Sequence, residues 1–207
     1  MNKVIYLLSI TLFLLACSKD ENETEEITEF EITAEYYFVA TIDGEKVQLE
    51  YNIDGYGNGP ISGGGTNNGG YQYYDGTVFM KGLSANNSAG VIFLKTFSDS
   101  PWCNQILEMY NTGTYNYGIE SLSEEENGKD GALIYYVNND GVQWSSGFLP
   151  ATQNNSSFHL LEYTDLQTFY SNKVMKAEFE CTLYNSNGDS KELTNGEVKG
   201  MCVSCSN

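Results

Sequence analysis

The residues that could do chemistry are few. The chain carries one histidine, 28 acids, 10 lysines and no arginine. His159 sits in "SFHLLEY", out of phase with Phe158 and Leu160. A serine or cysteine nucleophile needs a base that a third group holds in place. Asp165 is near in sequence, but a strand sets it roughly 20 Å away at about 3.3 Å per residue. His159 therefore reads as a structural residue, and zinc or haem sites built on several histidines are excluded by count. A carboxylate pair could hydrolyse glycosides. The acids, however, fall in a tether, on strand outer faces and in turns, and no pair stands out. "GNGPISGGG" is not a nucleotide loop, because no strand–helix unit surrounds it and no Gly-Lys-Ser/Thr follows. Asp54, Asn58, Asp75, Asn139 and Asp140 offer oxygen ligands for calcium in glycine-rich loops. They lack EF-hand or repeat spacing, and turn chemistry accounts for the same residues.

The aromatic residues carry the stronger signal. Sixteen tyrosines, ten phenylalanines and two tryptophans are many for 207 residues. Tyr56, Tyr71, Tyr73, Tyr74, Trp102 and Trp144 lie in or beside turns rich in Asn and Asp. Rings stack on sugar faces and amides bond hydroxyls, so these six form the candidate ligand-binding set.

The N-terminus reads as an address. Lys3 precedes the apolar run "VIYLLSITLFLL". This run is shorter than the roughly 20 residues of a membrane-spanning helix and suits a signal-peptide core. It ends in Leu14-Leu15-Ala16-Cys17, which resembles a bacterial lipobox. The resemblance implies that residues 1–16 are removed and that Cys17 carries acyl chains, each buried methylene adding about 0.8 kcal/mol of membrane affinity. Ser18, Lys19, Asp20 and Glu21 follow, similar to the acidic export signal of surface lipoproteins of the Bacteroidota. That implies the outer membrane, facing outward. Residues 17–29 are acidic and poor in apolar groups, and so are expected to be a disordered tether. Residues 30–207 are then one domain. Nine lysines against 28 acids leave the mature chain at −19, which excludes nucleic acid as a partner.

The elements that must position these residues are strands. Tyr36–Ile42 alternates and is followed by Asp43-Gly44, a hairpin signal. Further strands are expected at 47–51, 77–83, 90–97, 106–110, 132–137, 142–148, 157–163, 174–184 and 192–203. In 174–184, Met175, Ala177, Phe179, Cys181 and Leu183 share one face, with Lys176, Glu178 and Glu180 on the other. One wet and one dry face mark an antiparallel sheet. Residues 52–76 hold nine glycines and no period, so a long loop is expected there, with at most a frayed strand near Tyr71–Tyr74. No apolar pattern holds period 3.6 for three turns. The fold class is all-β: an antiparallel β-sandwich of about ten strands, with a barrel as the lesser alternative.

With Cys17 committed to lipid, Cys103, Cys181, Cys202 and Cys205 remain for an oxidising compartment. If 174–184 and 192–203 form a hairpin, Cys181 lies opposite residue 195 or so. Cys202 is then roughly 20 Å along the strand, beyond bridging distance. The expected pairing is Cys103–Cys181 with Cys202–Cys205.

"FVATIDGEKV", "NTGTY" and "MKAEFECTLYNSNGDSKELTNGEVKG" together resemble a family of flavobacterial lipoproteins. In that family a lipobox precedes an opening hairpin, a G-T-Y segment sits mid-chain, and a C-terminal hairpin ends in a T-N-G turn. The likeness runs over about residues 36–200, departs at Ala177 and Val198, implies a sandwich and brings no activity. The expectation is an outer-membrane, surface-exposed lipoprotein that binds glycan or protein without catalysis. The alternatives are an extracellular hydrolase using a carboxylate pair and a structural envelope component.

Overall fold

Alternation decides most of this fold. The computed structural model describes residues 30–67, 70–82, 86–119, 129–148, 153–165 and 173–202. Cys17, Ser18, Lys19, Asp20, Glu21, Cys205 and the acidic run 121–128 lie outside the described residues. From Glu31 onward the chain forms one compact unit. Among the described residues, eleven strands follow in order: β1 Tyr37–Ile42, β2 Glu45–Glu50, β3 Tyr56–Asn67, β4 Gly70–Lys81, β5 Ser88–Phe97, β6 Gly113–Thr114, β7 Gly131–Val137, β8 Gln143–Ser145, β9 Ser157–Asp165, β10 Lys173–Tyr184 and β11 Ser190–Cys202. Among the described residues, a single short helix, α1 Cys103–Leu107, precedes β6.

The class is all-β and antiparallel, as expected. The strands run in the order β2-β1-β11-β10-β8-β7-β5-β4-β3, with β9 on β10 and β6 on β9. The two packed faces belong to one sheet that curls into a half-barrel. The edge strand β3 reaches across to β11, where the Met201 amide donates to Asn58 Oδ1 at 2.8 Å, while Asn58 Nδ2 donates to Thr77 Oγ1 on β4 at 2.8 Å. Along β10, Met175, Ala177, Phe179, Cys181 and Leu183 are buried while Glu178 and Glu180 are exposed. The expected strand and its facing are therefore correct.

A row of rings crosses the interior. Phe38 on β1 meets Phe179 on β10 at 5.6 Å, Phe179 meets Phe158 on β9 at 6.1 Å, and Phe158 meets Phe93 on β5 edge-on at 5.6 Å. Burying each such side chain stabilises the fold by about 1.5–3 kcal/mol. Phe93 in turn touches Tyr110 and Tyr115, which carry the loop described below.

Two expectations are corrected. Residues 52–76 are not a loop: β3 and β4 pair from Tyr56↔Lys81 to Asn67↔Gly70 as a long hairpin. The glycines hide the strand because they carry no side chain to alternate. Their missing side chains are replaced by rings from the neighbour. A Cβ on Gly63 would stand 2.4 Å from Tyr74 Oη, and one on Gly64 would stand 2.5 Å from Tyr71 Cε1. Second, 106–110 is not a strand. α1 covers Cys103–Leu107, and the Trp102 amide donates to Gln105 Oε1 at 2.9 Å at its start. Ile106, Met109 and Tyr110 are buried, at the 3-and-4 spacing of a helical face.

Candidate functional site

The six aromatics nominated from sequence do not converge. Tyr71 and Tyr73 alternate with Tyr74 along β4, so their rings leave opposite faces of the sheet. Tyr73 and Tyr56 pack against the core, and burial, with Asp75 nearby, raises the Tyr73 phenol above its ordinary range. Lys81 Nζ stands 5.7 Å from the Tyr56 ring centroid. Trp144 on β8 is 7% exposed and Lys191 Nζ lies 5.1 Å over its ring. Only Trp102 is open, at 79% exposure, where α1 begins.

The oxygen-ligand set is scattered as well. Asp54 lies in the turn before β3, and Asn139 and Asp140 lie in the β7–β8 turn. Asn58 spends its amide on Thr77, Val78 and Met201. Asp75 is fully buried in β4. Among the described residues, no three His, Cys, Asp or Glu side chains gather as a metal site.

Cys103, Cys181 and Cys202 are not bridged to one another in the structure. Cys181 faces Leu193 across the hairpin, its thiol buried beside the Tyr117 hydroxyl. Burial pushes that thiol up to about 12. Cys103 is on α1, in the neighbourhood of Tyr73. The two thiols thus have different surroundings. Cys202 is buried among Tyr110, Asp75 and Lys173, and its thiol is raised, chiefly by burial. Its expected partner Cys205 lies outside the described residues.

What the fold does assemble is a groove of about 460 Å³. Its walls are residues 93–95 at the end of β5, 108–116 after α1, and 130–131 at the start of β7. The 108–116 wall is held by one phenol. Tyr115 Oη accepts the Asn111 amide N–H at 2.8 Å, and its single proton is shared between Met109 O at 2.8 Å and Asn111 O at 2.7 Å. Asn111 Nδ2 donates to Glu108 O at 2.8 Å. The ring of Tyr115 packs edge-on against Phe93 at 5.0 Å and Phe158 at 5.9 Å. Tyr110, three residues past the helix, stacks on Tyr163 at 4.4 Å. Burial, followed by Cys202 and Asp75, drives the Tyr110 phenol well above its ordinary range.

The third wall is fixed by backbone. The Ala132 amide donates to Asn116 O at 2.9 Å, and the Thr96 amide donates to Asp130 Oδ1 at 2.8 Å. Gly131 has φ +151°, and a Cβ there would stand 2.4 Å from Asn116 O. The close approach of these chains needs glycine.

The groove thus presents amides and hydroxyls from Asn111, Thr112, Thr114 and Asn116, with Lys95, Glu108 and Asp130 as its charged groups. Thr114 Oγ1 lies 3.1 Å from His159 Nδ1, so the lone histidine comes to the rim. Glu178 is its register partner on β10. Among the described residues, no ion pair forms between them, and Asp165 lies six residues further along β9. A hydroxyl–imidazole–carboxylate relay is not assembled. From sequence, "NTGTY" enters only through the family resemblance. The signal for the wall is the run of amide and hydroxyl residues in 111–116, "NTGTYN".

Among the described residues, no helix is long and apolar enough to cross a membrane. Set against family models, curated proteins and solved structures, the chain matches none.

Proposed function

We propose that this is a lipid-anchored surface protein whose β-domain binds a hydroxyl-rich ligand, a glycan, in the groove walled by 108–116. The observation that carries the reading is the Tyr115 phenol, which holds an exposed run of amides and hydroxyls in one shape before any ligand arrives. Preorganisation lowers the ordering cost of binding. Exposed Trp102 stands at the other end of α1 from Glu108, roughly 9 Å away at about 1.5 Å per helical residue, and offers a ring for a sugar face. The anchor rests on the Leu14–Cys17 pattern and the acidic residues after it, and the flavobacterial likeness agrees with that address.

The hydrolase alternative has one observation in its favour: Glu108 and Asp130 line the same groove. Against it, Asp130 Oδ1 already accepts a backbone amide. Two experiments test the proposal. Cys17→Ala should move the chain out of the membrane fraction, and retention with acylation intact contradicts the anchor. A glycan array probed with the full chain in a sugar-free detergent should give saturable binding that Trp102→Ala weakens. Release of shortened sugars over hours would favour the hydrolase, and an empty array would remove the glycan.

A further inference from the structure

The charges of the groove narrow its ligand. Three charged side chains line it: Lys95, Glu108 and Asp130. Among the described residues, Lys95 pairs with neither carboxylate, and its ammonium stands 5.4 Å from the Phe97 ring centroid. Glu108 is exposed and forms no ion pair among the described residues. Asp130 commits one oxygen to the Thr96 amide. The groove therefore carries one net negative charge on a chain whose formal charge is −18. Such a field draws cations inward and repels anions.

We infer that the groove takes an oligosaccharide bearing free amino groups, a hexosamine polymer fragment, with its ammonium between Glu108 and Asp130 and its hydroxyls on Asn111, Thr112, Thr114 and Asn116. The inference rests on the glycan reading above. An ammonium supplies three donors and no acceptor, which suits two carboxylates lacking an ion-pair partner among the described residues. A neutral sugar leaves those charges uncompensated. An acidic sugar meets repulsion from the groove and from the whole chain. Lys95, one residue beyond the Leu94↔Gly131 pair and so on the strand beside Asp130, lowers the attraction without cancelling it.

The test compares three ligands of equal length by calorimetry on the full chain in a sugar-free detergent. They are a glucosamine tetramer, its fully N-acetylated form and a glucose tetramer. The measurement is made at about pH 6, below the ordinary amine range. The glucosamine tetramer should bind at least tenfold tighter than either of the others. The advantage should fall at least threefold in Glu108→Gln and in Asp130→Asn, grow in Lys95→Gln, and shrink at about 0.5 M salt, where the screening length is near 4 Å. Circular dichroism of each variant separates lost binding from lost fold. Equal or tighter binding of the acetylated or glucose tetramer overturns the amine while leaving the groove as a glycan site. Absence of binding by all three overturns both.

Discussion

The β3–β4 hairpin and the 108–116 segment use tyrosine in opposite ways. In the hairpin, Tyr71 and Tyr74 spend their rings on the glycines of the neighbouring strand. The rings supply the area that Gly63 and Gly64 lack, and so turn a glycine-rich stretch into an edge strand. In 108–116, Tyr115 buries its ring against Phe93 and Phe158 and spends its hydroxyl on the backbone of a loop. One region uses aromatics to make sheet, the other to hold polar groups in place. Dense tyrosine and glycine therefore mark structure here, and a single tyrosine marks the site.

The comparison breaks most severely if the hairpin is removable. Deleting 56–74 takes away β3, half of β4, the core contacts of Tyr56 and Tyr73, and the Asn58 ties to Thr77 and Met201. The loss is about 5 kcal/mol or more from two rings and two hydrogen bonds, a Tm drop of at least about 10 °C. A deletion variant melting within a few degrees of the parent would return this region to the status of a loop. Next comes Gly131→Ala, which forces a Cβ onto backbone atoms of Asn116 and Gly118 at positive φ. It should cost about 2–3 kcal/mol and shift the amide NMR signals of 116–118 and 130–132 while sparing the hairpin.

Tyr115→Phe separates ring from hydroxyl. It strands the Asn111 amide and should cost about 1–3 kcal/mol, with faster hydrogen exchange confined to 109–115. The same change at Tyr74 should stay within about 0.5 kcal/mol, because there the ring is what matters. Similar costs at both sites would erase the distinction. The smallest effect belongs to Gly63→Ala. The atom in its way is the far end of the Tyr74 side chain, which can swing aside, and the strand gains about 0.5–1 kcal/mol from losing a glycine. A net change near zero in urea melts is expected, and a loss above about 2 kcal/mol would mean that the Tyr74 ring is locked.

What the sequence discloses follows the side chains. β10 is legible because Met175, Ala177, Phe179, Cys181 and Leu183 alternate with Lys176, Glu178 and Glu180, and burial follows that pattern. β3 is illegible because Gly57, Gly59 and Gly63–Gly65 carry no pattern, and its pairing is imposed by β4. α1 is missed because five residues are too few to show a period, though Ile106, Met109 and Tyr110 sit at helical spacing. The predicted hairpin register places Cys181 opposite residue 195. The structure places it opposite Leu193, because the turn closes with Tyr184 opposite Ser190 and the pairing runs unshifted from there to Cys181; the bulge between Phe179 and Cys181 lies beyond it. The groove draws on β5, the 108–116 segment and β7, three segments whose meeting no local pattern announces. Of the aromatic set, only Trp102 combines exposure with a place next to that segment.

The central claim is that ligand is met by 108–116 and 130–131 rather than by the tyrosines of β4. Backbone amide NMR during titration with the glucosamine tetramer tests this most directly. Saturable shifts are expected at Asn111, Thr112, Thr114, Asn116 and Asp130, with residues 71–74 unmoved and the response at least tenfold weaker in Tyr115→Phe. Saturable shifts confined to 71–74, unaffected by Tyr115→Phe, would contradict it.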